Sequence, residues 1–289
     1  MSPRTGFFYA LSAYLLWGFL PLFFRAAEHI PAVELVAHRV IWSLPVALFV
    51  MAALGRTGEI MPLLRDRGVM KMMLLTALLI SVNWAIYVWA ISVDRTSETA
   101  LGYYINPLLT VVLGVLLLSE KLNEWQWLAI ALAAIGVLVR AISTGAFPWI
   151  SLSLALTFAF YGYFRKTVSV GPTQGFLLEV IILFPFAMAY AVWLALQGQG
   201  HMDADNILWL MACGPVTAVP LILYAFGAKA LRLATLGLMQ YIAPSMIFVI
   251  AFFVFGETLD IWQIITFALV WSALVIYSWS TFEVAKKNR

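Results

Sequence analysis

Ten apolar runs, each close to twenty residues and parted by short polar connections, fill this sequence from end to end. A helix rises about 1.5 Å per residue, so about 20 mostly apolar residues match the roughly 30 Å hydrocarbon core of a bilayer. Breaks at charges, Pro and Gly predict spans at Gly6–Phe24, Glu34–Leu54, Met70–Ser92, Thr99–Leu118 and Trp125–Ser143. The second five are Phe147–Phe164, Gly175–Leu196, Ile207–Lys229, Thr235–Gly256 and Trp262–Thr281. Only 11% of the residues are charged and 64% are apolar, against about 25% charged in a soluble domain. No soluble core of this length hides so much apolar surface, so lipid is the main solvent. The expected fold is an all-α membrane protein of ten transmembrane helices, with no soluble domain and all function inside the bundle. The lone Arg4 before the first run, without a small-residue cleavage site, reads as the start of a membrane helix and not as a cleaved signal peptide.

The net charge of +3 is small and points to no nucleic-acid partner. The single cysteine, Cys213, excludes an internal disulfide and any multi-cysteine metal site; no cofactor is expected. Lys and Arg set orientation, since they gather on the cytoplasmic side. With a cytoplasmic N-terminus, the inner segments hold thirteen: Arg4, Arg56, Arg65, Arg67, Lys71, Lys121, Arg165, Lys166, Lys229, Arg232, Lys286, Lys287 and Arg289. Arg25, Arg39, Arg95 and Arg140 remain for the outer side, so both termini are placed in the cytoplasm.

The sequence also repeats. Shifted by 137 positions, TALGYYINP (Thr99–Pro107) falls beside LGLMQYIAP (Leu236–Pro244), and SEKLNEWQ (Ser119–Gln126) beside GETLDIWQ (Gly256–Gln263). Tyr104/Tyr241, Pro107/Pro244, Glu120/Glu257, Leu122/Leu259 and Gln126/Gln263 are identical, and Tyr87 falls on Tyr224. At a shift of 140, Arg25 meets Arg165 and Pro45 meets Pro185. Residues 1–143 and 144–289 are therefore expected to be two five-helix repeats. Five is odd, so the second crosses the membrane in the opposite sense, a plan associated with transporters that bind near the midplane between halves. Asn123-x-x-Gln126 and Asp260-x-x-Gln263 are capping-box patterns that start matched helices. Glu120 and Glu257 are expected to shape the two matched turns.

Further stretches carry a resemblance. AHRVIWSLP (Ala37–Pro45), NWAIYVWA (Asn83–Ala90), LGYYINPL (Leu101–Leu108), FYGYFRK (Phe160–Lys166), GPVTAVPL (Gly214–Leu221) and TLGLMQYIAP (Thr235–Pro244) resemble the RarD group, in the EamA branch of the drug/metabolite transporter superfamily. The resemblance runs along nearly the whole chain. It implies ten helices in two inverted halves, alternating access around a central cavity, and a multi-pass place in the bacterial inner (plasma) membrane. It supplies no substrate.

Polar residues inside apolar spans are costly, about 2.5–3.5 kcal/mol for a charge at a helix centre, and so are candidates for function. Helix two offers Glu34, His38 and Arg39; helix seven offers Glu179, the coupling candidate if transport is proton-driven. Arg39 and Glu179 are equivalent at the 140 shift but lie about 8 Å inside opposite faces, too far apart to pair. Arg39 either snorkels outward or fixes a substrate anion at the outer mouth; His38 either makes a core hydrogen bond or exchanges protons. Asn83 is near mid-membrane and shares a face with Tyr87. Asn106 precedes Pro107, which leaves a carbonyl under-bonded, and Gln240 and Tyr241 sit a turn before Pro244. With Tyr104 and Tyr224, these groups are expected to line a path for a neutral or zwitterionic solute; the competing reading is packing of small and amide groups between helices.

A secondary transporter for a small organic metabolite or drug-like solute is the leading expectation. No Walker loop is present, so the chain does not itself hydrolyse ATP. An intramembrane enzyme would need a nucleophile with a base, an acidic dyad or an HExxH site, and none appears. A membrane sensor or assembly protein stays open, as does a homodimer. The topology is testable. Single cysteines placed at position 2 and at position 203 are expected to react with a membrane-impermeant thiol reagent from opposite sides; reaction from one side would remove the inverted ten-helix plan.

Overall fold

The computed structural model describes residues 2–93, 95–144, 149–254, 256 and 260–287. Glu257 and Leu259 of the repeat, Phe147 at the head of the sixth span, and Arg289 lie outside the described residues. The helices are α1 (Pro3–Ala26), α2 (Ala32–Ala53), α3 (Ile60–Arg65), α4 (Arg67–Ser92), α5 (Thr96–Leu118) and α6 (Glu124–Thr144). They continue with α7 (Trp149–Thr167), α8 (Pro172–Leu196), α9 (Ile207–Ala230), α10 (Leu233–Met239), α11 (Ile242–Phe253) and α12 (Ile261–Lys287). Among the described residues nine segments are long and apolar enough to cross a membrane, with α10 and α11 counting as one. Helix α7 has 19 residues but carries Ser151, Ser153, Thr157, Tyr161 and Tyr163 and ends on Arg165-Lys166, which leaves it less apolar than the rest.

Local chemistry explains the ends. Ser2 accepts from the Thr5 N–H ahead of Pro3, and Asp66 accepts from the Gly68 and Val69 N–H groups at the head of α4. Both capping boxes form. The Asn123 N–H donates to Gln126 Oε1 at 3.1 Å and the Gln126 N–H to Asn123 Oδ1 at 2.9 Å. The Asp260 N–H donates to Gln263 Oε1 at 3.2 Å and the Gln263 N–H to Asp260 Oδ1 at 2.7 Å. Each box satisfies the first backbone donors of α6 or α12.

The ninth expected span is broken. Pro244 cannot donate to the carbonyl of Gln240, and the Ala243 N–H takes that carbonyl instead at 3.3 Å, tightening the turn between α10 and α11. The equivalent Pro107 leaves α5 continuous. At the break, the hydroxyl of Tyr241 donates to the carbonyl of Tyr104 on α5 at 3.0 Å.

Small residues let the helices close on one another, as expected where lipid is as apolar as the partner. On the α1–α9 contact, Gly6 lies against Ala230 and Gly227 against Ala10, where a Cβ would clash. Helix α2 packs on α8 and α9, α4 on α7 and α8, α5 on α7 and α10, and α6 on α12. Tyr14, Tyr161 and Tyr224 are fully buried and meet Trp17 and Phe158 at the centre.

One expectation is corrected here. Glu120 reaches out of its own turn to α10, accepting from the Leu233 N–H at 2.6 Å and the Ala234 N–H at 2.9 Å. Arg232 stands 3.9 Å from the same carboxylate and donates to the Lys121 carbonyl. A carboxylate at a helix N-terminus is favoured both by hydrogen bonds and by the helix dipole. Glu120→Ala is therefore expected to cost about 1–2 kcal/mol, read as a lower unfolding midpoint of the detergent-solubilised protein. An unchanged midpoint would show that the tie does not hold the two segments together.

Candidate functional site

Arg39 lies about two turns into α2 and turns inward, so it does not snorkel. Its Nε–H donates to Thr217 Oγ1 on α9 at 2.9 Å. The guanidinium carbon sits 4.5 Å from the centroid of Trp84 on α4 and 6.0 Å from that of Phe24 on α1. Trp84 and Tyr87, three residues apart, present one face of α4. Tyr87 meets Tyr103 of α5 edge-on, centroids 6.4 Å apart, and both side chains lie near Arg39. Tyr103 keeps 47% of its surface accessible despite these neighbours. Tyr103 is thus the exposed edge of a group whose Thr217 end is buried.

A small cavity of about 10 Å³, room for about one water, continues from this group between α2, α4, α7, α8 and α9. Arg39, Trp84 and Thr217 line it together with Ser43, Tyr161 and Glu179. Arg39 and Glu179 thus share a cavity without pairing. Glu179, 3% exposed, takes its hydrogen bonds elsewhere: Tyr161 Oη donates to Oε2 at 3.2 Å, and Arg165 Nη1 to Oε1 at 3.5 Å. Arg165 also donates to the Pro172 carbonyl at 2.7 Å, and its guanidinium occupies the space where Gly175 has no side chain.

The other candidates fall in separate places. The Asn83 amide donates to the Leu154 carbonyl at 2.8 Å and to Thr157 Oγ1 at 2.9 Å, which makes it a bridge from α4 to α7. Asn106 is buried and accepts from Thr110 on its own helix at 3.2 Å. Tyr104 and Tyr241 form the α5–α10 tie described above. Gln240 and Tyr224 are buried beside Tyr14, yet neither polar atom of the Gln240 amide nor the Tyr224 hydroxyl has a hydrogen bond among the described residues. His38, 2% exposed and with Nδ1 unpartnered, borders a cleft of about 360 Å³ with Glu34, Ala191, Gly200 and Asp203. Glu34 itself is taken by His201, whose N–H and Nδ1 meet its two oxygens at 2.8 and 2.7 Å. No group of three metal-ligating side chains occurs among the described residues.

Sequence reasoning missed Trp84, Thr217 and Arg165 as parts of this site. Arg165 was hidden by its place among the inner cations. The available signal was spacing: Tyr161 and Arg165 on α7, and Gly175 and Glu179 on α8, are each four apart and share a face. Thr217 gave no signal, because its partner is 178 residues away.

Residues 4–141 match the EamA-like transporter family. The chain is 41% identical to Protein RarD of Streptomyces exfoliatus, over 100% of this chain and 92% of that protein. It is 39% identical to Protein RarD of Escherichia coli (strain K12), covering 96% and 94%. It is 36% identical to the Uncharacterized transporter YojE of Bacillus subtilis (strain 168), covering 100% and 98%. In fold it is similar to a solved structure titled "Crystal structure of protein", with a TM-score of 0.73 at 17% identity, covering 94% of this chain and 96% of that one.

The geometry at Asn83 yields an expectation opposite to that for a free path-lining amide. Asn83→Leu removes the α4–α7 bridge to the Leu154 carbonyl and Thr157, so stability is expected to fall by about 1 kcal/mol, with activity falling only as folded protein is lost. Thermal midpoint and flux per folded molecule decide it: an unchanged midpoint with lost flux would return Asn83 to the solute path.

Proposed function

Because the chain belongs to the RarD group of the EamA-like transporter family, we propose that this membrane transporter is a secondary carrier that moves a small organic solute by alternating access between two inverted five-helix halves. It is a multi-pass protein of the bacterial inner membrane, and we take the halves as residues 1–143 and 144–289, ten crossings in all, with both termini in the cytoplasm.

The observation that carries this reading is the pairing of helix contacts. The sequence shift sets α1 against α7, α2 against α8, α4 against α9, α5 against α10–α11 and α6 against α12. Under that exchange, α1·α9 maps onto α7·α4, α2·α9 onto α8·α4, and α5·α7 onto α1 with α10–α11. The contacts α2·α8, α5·α10 and α6·α12 map onto themselves. The contacts α7·α9 and α5·α6 lack a counterpart of similar strength, but the rest of this pairing is what a two-fold plan predicts. The twin capping boxes support the same reading.

The solute path, in this proposal, runs where the halves meet, through the group of Arg39, Trp84, Tyr87, Tyr103 and Thr217. Gln240 and Tyr224, with their unspent polar groups, are the second contact; Tyr104, Asn106 and Tyr241 form the wall behind it, and His38 stands at the outer entrance. The inner ends are tied shut: Lys166 Nζ donates to the Ala228 and Leu231 carbonyls at 3.2 and 2.5 Å, Lys229 donates to the Val168 carbonyl, and Glu120 holds α10. The outer cleft stays open. Such an arrangement supports the outward-facing half of a transport cycle. Glu179, on the cavity between the halves, is the proposed coupling group, since its protonation would release Arg165.

Reconstituted vesicles test this. With a panel of metabolites and drugs, wild-type protein is expected to concentrate at least one solute under a pH gradient and to exchange it across the membrane when both sides are loaded. Glu179→Gln is expected to abolish the accumulation and spare the exchange. Accumulation that survives would clear Glu179, and wild-type vesicles without exchange of any solute would remove alternating access.

A further inference from the structure

Four described carboxylates within or beside the spans already have partners. Glu34 meets His201 at 2.7 Å, Glu98 meets Arg95 at 2.5 Å, Glu179 meets Arg165 at 3.5 Å, and Glu120 caps α10 beside Arg232. Arg39 has no carboxylate within 4 Å among the described residues. An ionised guanidinium at this depth is expensive without an anion, and arginine does not escape the cost by losing its proton. The stacked Trp84 ring offsets part of the cost through its negative face, and the cavity beside it has room for about one water.

The fork is also aimed. Thr217 holds Nε at 2.9 Å and Trp84 covers one face of the plane. Nη1 and Nη2 are left without a hydrogen bond to any described residue, beside the Tyr87 and Tyr103 hydroxyls. A planar fork with free donors on its outer edge matches a carboxylate, which accepts two parallel hydrogen bonds. The surrounding Phe24, Trp84, Tyr87 and Tyr103 rings offer flat apolar faces to whatever carries that carboxylate.

We propose that Arg39 is the anchor for the carboxylate of an anionic or zwitterionic solute with a planar apolar body. The site takes one negative charge: no second unpaired cation faces it among the described residues, so a phosphate dianion would leave a charge uncompensated in a poorly solvated place. This deepens the reading of the cleft as the solute path and rests on it.

Three probes share one skeleton and differ in charge: 3-phenylpropionate, 3-phenylpropan-1-ol and 3-phenylpropan-1-amine. Added to the purified full chain, 3-phenylpropionate is expected to raise the thermal midpoint with saturation, and the alcohol and amine are not. Arg39→Gln is expected to weaken the apparent Kd for 3-phenylpropionate at least tenfold, and Arg39→Lys, a point charge without the fork, by less. Equal responses to all three probes in the wild type, no response included, overturn the proposal, as does an unchanged Kd in Arg39→Gln. Should Arg39→Gln fail to give monodisperse protein, Thr217→Val removes the bond that aims the fork; it is expected to weaken 3-phenylpropionate at least threefold, and an unchanged Kd overturns the anchor. A separate measurement isolates the underlying reading. In a Cys213→Ala background, Tyr103→Cys is expected to react with a membrane-impermeant thiol reagent. Reaction without any carboxylate selectivity in the wild type removes the anion site and leaves the path; no reaction removes both.

Discussion

Two helices in lipid gain almost nothing by hiding apolar surface from each other, because the solvent is as apolar as the partner. What holds this bundle is therefore close approach and satisfied polar groups. The α1–α9 crossing uses Gly6, Ala10, Gly227 and Ala230 to bring backbones together. The polar ties join segments far apart in sequence: Asn83 to α7, Glu120 to α10, Tyr241 to the Tyr104 carbonyl, and Thr266 to the Gly136 carbonyl at 3.2 Å. Each buries a group whose alternative is an unsatisfied donor or acceptor in hydrocarbon, where no water stands in.

The same constraint sorts the polar residues by role. A side chain whose hydrogen bonds are all met by the protein stabilises the bundle and has nothing left for a solute. Glu120 falls in that class, and the donor side of Asn83 is met by α7. A side chain with donors or acceptors unspent, in a place where they are costly, falls in the other. Arg39, Gln240 and Tyr224 belong there, and all three lie where residues from both halves of the chain meet.

Much of the fold was legible because helix boundaries in lipid are written in local chemistry. The capping boxes at Asn123 and Asp260 could be read from four-residue patterns and form as read. The break between α10 and α11 could not, since Pro107 stands in a matching sequence and leaves α5 whole. Side-chain roles were less legible, because they depend on long-range partners. Arg39 looked able to snorkel until Thr217 and Trp84 appeared beside it, and Asn83 looked free until Leu154 and Thr157 did. Arg165 was read as a surface cation by its neighbours in the chain, whereas its surroundings are Glu179, Pro172 and the bare backbone of Gly175.

The unequal pair of proline helices has a mechanical consequence. A continuous helix behaves as a stiff rod and spreads any bend over its whole length, whereas an interrupted one concentrates the bend at its joint. Helix α5 is the rod, and α10–α11 is jointed at Gln240 and Tyr241. Tilting the α11 arm therefore turns those two side chains through a larger angle than the same tilt would turn Tyr103 or Tyr104. Two matched proline segments are thus alike in sequence and unlike in compliance, with the joint of α10–α11 beside the unpaired Gln240 amide.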